Sequence, residues 1–323
     1  MVENYSKSKV SAKSVTVTEN DLGQRLDNFL FKILKGIPKS RIYRGVRKGE
    51  FRVNGGRVKA THRIAVGDSI RIPPLAANAS TNARTPQAFS LGAKLIDRVV
   101  FENNEILVVD KPSGLAVHGG SGLNFGLIEG LRQARENKEF LGLVHRLDRE
   151  TSGLLILAKK SKTLKYLHSL FRESKVKKRY LALVKGRWPR TIKRVDAPIK
   201  KNINLSGERR SVISDQGKVA ITDFRVITRY SDTTLIEATP TTGRTHQIRV
   251  HAQHMGNPII GDEKYGIQEE FVNLEHKRCI RLFLHAHHLS FKMSDGKYLE
   301  FNSDLDDSLN KLLYFYSADC NTQ

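Results

Sequence analysis

The chain has 323 residues and a formal charge of +22 at pH 7, from 55 Lys and Arg against 33 Asp and Glu. At 39% hydrophobic residues it is long and apolar enough for two domains with a sizeable core, and no run of 18 apolar residues is present to cross a bilayer. Cys279 and Cys320 are the two cysteines; they offer neither a disulfide framework nor a cysteine zinc site, and with no apolar signal core at the N-terminus a reduced, cytoplasmic protein is expected. Residues 1–75 hold 16 Lys and Arg against 6 Asp and Glu, and the rest of the chain is basic as well. Such a field attracts phosphate backbones by counterion release. An anionic membrane surface fits less well, because no Trp- and Phe-rich amphipathic helix accompanies the charge. A nucleic acid is the expected partner.

Residues 1–20 are polar and rich in Ser, Thr and Lys, which predicts a flexible tail with a short strand near Ser14–Val17. Leu26, Phe29, Leu30, Ile33 and Leu34 recur at helical spacing until Lys35-Gly36-Ile37-Pro38 stops the pattern. A second helix starts near Lys39-Ser40, with Ile42, Tyr43 and Val46 inward and Arg41, Arg44, Arg47 and Lys48 over the other face. Phe51-Arg52-Val53, the turn Asn54-Gly55-Gly56 and two strands within Val58–Ile72 complete a small unit over residues 21–75. Few large apolar side chains follow, which predicts an extended linker over 76–93.

Beyond it, over 94–323, strand patterns fall at Val99–Phe101, Ile106–Asp110, Gly153–Ala158, Lys178–Lys185, Val219–Arg229, Thr234–Thr239, Leu282–His285 and Leu289–Met293. Helical patterns fall at Gly126–Ala134, Ser161–Glu173 and Thr245–His254. This intermingled order predicts an α+β domain around a mixed, mainly antiparallel sheet with flanking helices.

Cofactor motifs are weak. Gly119-Gly120-Ser121-Gly122 lacks the following Lys-Ser/Thr of a phosphate loop, and no Gly-x-Ser-x-Gly elbow is present. His246, His251 and His254, and again His285, His287 and His288, cluster without the helical His-Glu-x-x-His pattern or a nearby Cys. No metal and no cofactor are expected. The densest polar constellation is His145-Arg146-Leu147-Asp148-Arg149-Glu150-Thr151-Ser152-Gly153, which runs into an apolar strand. Asp148 stands between two arginines, whose charge favours its carboxylate form; taken alone, such an Asp serves equally well as a turn cap or surface ion-pair partner.

The run from His145 to Gly153 resembles the signature of the large-subunit ribosomal pseudouridine synthases. Asp110–Gly114, Lys178–Ala182 and Gly243–His251 resemble that family's other segments in the same order, and Val117–Gly122, Lys200-Lys201-Asn202 and Ser206–Arg209 resemble one subtype within it. Gln24-Arg25-Leu26-Asp27, Ser40-Arg41 and Arg47-Lys48-Gly49 resemble the αL-type, or S-four-like, RNA-binding domain over about residues 23–74.

The resemblance implies isomerisation of uridine to pseudouridine in 23S ribosomal RNA, free or in an assembling large subunit, and nothing in the sequence demands more than a monomer. The reaction breaks the glycosidic bond, turns the uracil and joins its carbon 5 to the sugar, with no redox step. Asp148 is implied as the catalytic carboxylate, which can stabilise an oxocarbenium-like sugar, attack it or remove a sugar proton. Arg244 is expected to pair with Asp148, and Tyr180 to stack on the uracil with its hydroxyl near carbon 5. Ile248 or Leu284 would floor the base pocket. A stacked uridine must be flipped out at a cost of a few kcal/mol, roughly, and Arg146 is implied to fill the gap. Further RNA contacts are expected from Arg41, Arg44, Arg47 and Lys48 and, in the cleft, from Lys111, Lys159 and Lys160. The rivals are the same chemistry on other ribosomal or transfer RNA uridines, and a non-catalytic RNA-binding assembly factor. Intact Asp148, Tyr180 and Arg244 argue against the latter.

Overall fold

The computed structural model describes residues 12–34, 37, 39–75, 86–119, 125–135, 140–203, 209–266 and 281–318. The first eleven residues, the first part of the expected linker (76–85), Gly120-Ser121-Gly122, Ser206-Gly207-Glu208, Cys279 and Cys320 lie outside them. The chain divides into two compact units, Met1–Thr85 and Pro86–Gln323.

The smaller unit contains β1 (Lys13–Thr16), α1 (Leu26–Ile33), α2 (Lys39–Lys48), β2 (Arg52–Val53) and β3 (Ser69–Ile72). Its antiparallel sheet has the order β1-β3-β2. Leu26, Phe29 and Leu30 of α1 bury against Ile42 and Val46 of α2 and against Phe51 and Ile70, as the helical spacing requires. Two expectations change here. Of the two strands expected within Val58–Ile72, the first is not formed, because its carbonyls are used elsewhere: His62 and Ala60 accept from the Leu26 and Asp27 N–H groups at 2.7 and 3.0 Å. Those are donors that the first turn of α1 leaves without helical partners. Tyr43 is exposed rather than inward; its hydroxyl donates to the buried Asp27 at 3.2 Å and its ring meets Phe31 edge-on.

The larger unit runs α3 (Pro86–Ile96), β4 (Val99–Glu102), β5 (Ile106–Lys111), α4 (Leu127–Ala134), β6 (Gly142–Leu143), β7 (Ser152–Ala158), α5 (Ser161–Arg172), β8 (Lys177–Lys185), β9 (Arg194–Asp196), β10 (Ile199–Ile203), β11 (Arg209–Ile213), β12 (Ile221–Arg229), β13 (Thr233–Pro240), α6 (Gln247–His254), β14 (Leu284–Lys292), β15 (Tyr298–Asn302) and α7 (Asp307–Ala318). The helix α3 corrects the expected linker, whose second part is not extended. Leu91 and Leu95 pack it on Leu127 and Leu131 of α4, and at Gly92 a Cβ would come within 2.5 Å of the Gly130 carbonyl. So close an approach of two helices needs glycine, the residue that also hides the helix in the sequence.

The main sheet has the order β4-β5-β7-β14-β8-β13-β12-β9, with β15 also on β14 and β6 on β7; β10 and β11 form a separate hairpin. Its pairs are antiparallel except β7 with β14. The strand β7 is buried throughout, which explains its unbroken apolar run. Alternate residues feed opposite cores: Val108, Leu154 and Ile156 meet Leu167 of α5, whereas Leu107, Val109, Leu155 and Leu157 meet Leu127 of α4. The two strands expected at Leu282–His285 and Leu289–Met293 are one strand, β14, with a register shift between His285 and His288.

Candidate active site

Three of the motif segments of the larger unit, His145–Gly153, Lys178–Ala182 and Gly243–His251, converge on a cavity of about 260 Å³. Its walls include Arg146 and Asp148 from the loop between β6 and β7, Tyr180 from β8, Arg244 from the turn before α6, Ile248 from α6 and Leu284 from β14. At Gly153 φ is +107°, and a Cβ would lie 2.4 Å from the Ala286 carbonyl. Glycine therefore ends the Asp148 loop where β7 must pass against β14.

Lys111 corrects the expected RNA contact. Its ammonium is fully buried and donates to the carbonyls of Pro112, Leu115 and Arg149, each at 2.9 Å. All three donors serve the backbone, and one of them ties down the residue after Asp148. Burial pushes Lys111 down to about 7, against the opposing pull of Glu150 and Asp148. Ser113 fixes the same loop from the other side by donating to the Glu150 carbonyl at 2.7 Å. Lys159, also expected on RNA, pairs with Glu102 at 2.5 Å.

The expected pair of Asp148 with Arg244 is replaced by another. Arg244 lines the cavity, but its Nε donates to the Val219 carbonyl at 2.9 Å. The groups facing the Asp148 carboxylate are Arg249, whose Nη1 lies 3.6 Å from Oδ2, and His246, whose Nε2 lies 3.8 Å from Oδ1. Arg249 is itself aimed: Nε and Nη2 donate to the two oxygens of the buried Asp262, both at 2.7 Å, which leaves Nη1 for Asp148. His246 Nδ1 lies 2.8 Å from the Tyr265 hydroxyl, which accepts from the Ser211 N–H at 2.9 Å. The tautomer in which Tyr265 donates to Nδ1 puts the ring proton on Nε2, toward Asp148. Burial lowers the His246 pKa, and Asp148 opposes that shift.

Arg249 and His246 carried a readable signal: they are three residues apart, one turn of the same helix end, whereas Arg244 precedes the helix. Gln247, between them, pins the turn. Its Oε1 accepts from Thr242 Oγ1 at 2.6 Å and from the Arg244 N–H at 3.0 Å, and its Nε2 donates to the Ile221 carbonyl and Thr222. Thr222 hands the chain on to His251, whose Nε2 donates to the Ala197 carbonyl at 3.0 Å. His251 is thus a framework residue, as is His285, held between Ser152 and the Ser303 carbonyl.

Ile248 and Leu284 are buried and give the cavity an apolar floor. Burial and the neighbouring Asp148 raise the Tyr180 pKa well above its ordinary value, so the phenol stays neutral. Arg146 is exposed and lines both this cavity and a second one of about 450 Å³ on the far side of Asp148, where Arg149, Lys264 and Arg281 make the wall basic. In the smaller unit Arg44, Arg47 and Lys48 are exposed, while Arg41 is taken by Glu50 at 2.6 Å. Among the described residues no helix is long and apolar enough to cross a membrane.

An aimed carboxylate, a neutral phenol and an apolar floor in a cavity with a basic rim make a site for carboxylate chemistry on a flipped nucleic-acid base. Residues 105–254 match the RNA pseudouridylate synthase family and residues 24–70 the S4 domain, and the chain belongs to the RNA pseudouridylate synthase family. It is 47% identical over 304 residues to ribosomal large subunit pseudouridine synthase C of Haemophilus influenzae, covering 94% of each chain. To the protein of that name from Escherichia coli it is 48% identical over 307 residues, 94% of this chain and 96% of the other. Among solved structures, human RNA pseudouridylate synthase domain containing 4 superposes with a TM-score of 0.59 at 27% identity, over 71% of this chain and 96% of that one. Human RNA pseudouridylate synthase domain containing 1 gives 0.53 at 27% identity, over 68% and 94%. The chain is an RNA pseudouridine synthase.

Proposed function

We propose that this enzyme converts uridines of 23S ribosomal RNA to pseudouridine, acting as a single chain in the cytoplasm on free RNA or an assembling large subunit. The near-full-length similarity to large-subunit synthases supports the substrate. The observation that carries the mechanism is the Asp148 carboxylate, aimed by Arg249 and His246 into a cavity walled by Tyr180, Ile248 and Leu284. Arg44, Arg47 and Lys48 meet the RNA backbone, and the target base leaves the stack for the cavity while the exposed Arg146 takes its place. Tyr180 covers one face of the uracil and the apolar floor the other. Asp148 meets the sugar carbon, where its charge counters the positive charge that develops as the glycosidic bond lengthens. Arg249 and His246 hold the carboxylate still, and the detached ring, confined by the walls, turns and bonds through carbon 5; that carbon then gives up its proton and N1, freed from the sugar, takes one, so the product is an isomer of uridine.

The test is pseudouridine mapping on unmodified 23S ribosomal RNA and on transfer RNA incubated with the enzyme in buffer containing a chelator. New pseudouridines at discrete 23S positions are expected. Reaction of transfer RNA alone would overturn the substrate, and no reaction on either RNA would favour an RNA-binding assembly factor.

A further inference from the structure

One buried cation in the catalytic cavity has no part in the scheme above. Lys178 lies two residues before Tyr180 on β8, so both side chains leave the same face of the strand, about 7 Å apart. Both line the cavity. Lys178 is only 9% exposed, yet its described contact is with a ring: Nζ lies 5.7 Å from the centroid of Phe171. Among the described residues no carboxylate or carbonyl accepts from it. A side chain this buried ordinarily carries its ammonium to a carboxylate or carbonyl; here the described partner is the face of one phenyl ring, and the ammonium is left to face the cavity.

The neighbouring wall is no better supplied. His145 stacks on Phe171 at 4.8 Å and 19°, and its Nε2 accepts the Ile156 N–H at 3.1 Å. The proton of the neutral ring is therefore on Nδ1. Burial, reinforced by the nearby Lys178, drives the His145 pKa to about 3, so the ring stays neutral at working pH. Lys178 and the neutral His145 thus both bring donors to this end of the cavity.

We propose that Lys178 is a specificity-determining residue that donates to a ring carbonyl oxygen of the flipped uracil. The inference rests on the pseudouridine-synthase reading of the cavity. Uracil presents acceptors at O2 and O4, whereas cytosine presents an amino group in place of O4, and an ammonium facing that group leaves two donors opposed. Uracil also has a property that suits its own isomerisation. Turning the ring about the axis through N3 and C6 exchanges N1 with C5 and, with them, O2 with O4. A single donor beside one carbonyl before the turn therefore meets the other carbonyl after it, and holds the ring in both orientations. A phosphate is the other acceptor that RNA carries, but a phosphodiester continues into the chain on both sides, and Lys178 sits in a wall closed by Phe171 and His145.

The test uses the full-length enzyme and a 23S fragment whose target uridine the wild type converts, so the activity is established independently of Lys178. The fragment is prepared with uridine at the target and with analogues lacking O4 or O2. Lys178→Met should lower kcat/KM on uridine roughly 10- to 100-fold, with partial recovery in Lys178→Arg. Wild type should bind one analogue more weakly than uridine, and Lys178→Met should bind the two alike. Thermal stability of Lys178→Met should equal or exceed that of wild type, since a buried unpaired charge is replaced by an apolar chain. The proposal is overturned if Lys178→Met still distinguishes uridine from the analogue as wild type does. It also fails if the variant lowers the slope of log affinity against log salt by about 0.7 to 0.9, the mark of a lost phosphate contact. Because wild-type discrimination between uridine and the analogues needs no variant, its absence alone defeats the proposal.

Discussion

Lys111→Met separates a buried anchor from an RNA ligand. The substitution keeps the stem but removes three hydrogen bonds, to Pro112, Leu115 and Arg149. Bonds from a charged donor contribute about 1.5 to 3 kcal/mol each, so their loss amounts to roughly 4 to 9 kcal/mol. Relief of the buried charge offsets part of this: a fall from 10.5 to about 7 corresponds to a penalty on the order of 5 kcal/mol for holding the ammonium there. From the middle of the range, a net destabilisation of about 2 kcal/mol remains. Trp188, the single tryptophan, is buried in the larger unit, so urea unfolding followed by its fluorescence reads that unit alone. The same loosening frees the Asp148 loop, and kcat should fall tenfold or more, roughly, while the salt dependence of RNA binding stays unchanged. A stability change under about 0.5 kcal/mol, together with a salt slope reduced by nearly one contact, would refute the anchor and restore Lys111 to the RNA surface.

Arg249→Met should abolish measurable isomerisation and, by leaving the buried Asp262 without its fork, cost about 3 to 5 kcal/mol in the urea transition. Arg244→Met should act chiefly on RNA affinity, and equal losses of kcat in the two variants would contradict the assignment of Arg249 as the partner of Asp148. Neutralising Arg44, Arg47 and Lys48 together as glutamines should lower the slope of log affinity against log salt by about 2 with kcat preserved; an unchanged slope would remove the smaller unit from RNA docking. Glu102, held down to about 2 chiefly by Arg135 and then Lys159, has its folded pKa below the unfolded value. Its contribution is complete above about 4.5 and is lost as pH falls through about 2. Glu102→Gln should therefore flatten acid unfolding between those limits, with a modest size because the pair is partly exposed.

Much of this site was legible because it is built from short contiguous segments. The apolar run of β7 and the polar loop before it placed Asp148 at a strand entrance, and the alternation around Tyr180 placed that residue on a strand face. What the sequence concealed was set by distant partners. Arg244 and Arg249 are equivalent cations in the same motif until Asp262, thirteen residues beyond Arg249, fixes the fork of one of them. Lys111 reads as one more basic residue until its three backbone acceptors come together from two loops. The helix α3 is hidden because Gly92, which its close crossing with α4 requires, interrupts the helical pattern between Leu91 and Leu95. His246 looked like part of a histidine cluster, yet Tyr265 assigns it to the carboxylate while Thr222 assigns His251 to the framework.

The most direct measurement is single-turnover pseudouridine formation on a 23S transcript by wild type and Asp148→Asn, with RNA affinity measured in parallel. The substitution preserves shape and removes one negative charge from a site that makes no use of it in holding phosphate. Wild type should convert discrete uridines, and Asp148→Asn should convert none while binding the RNA within about threefold of wild type. Conversion by Asp148→Asn at the wild-type rate, or an affinity loss as large as the loss of activity, would contradict the role given to this carboxylate.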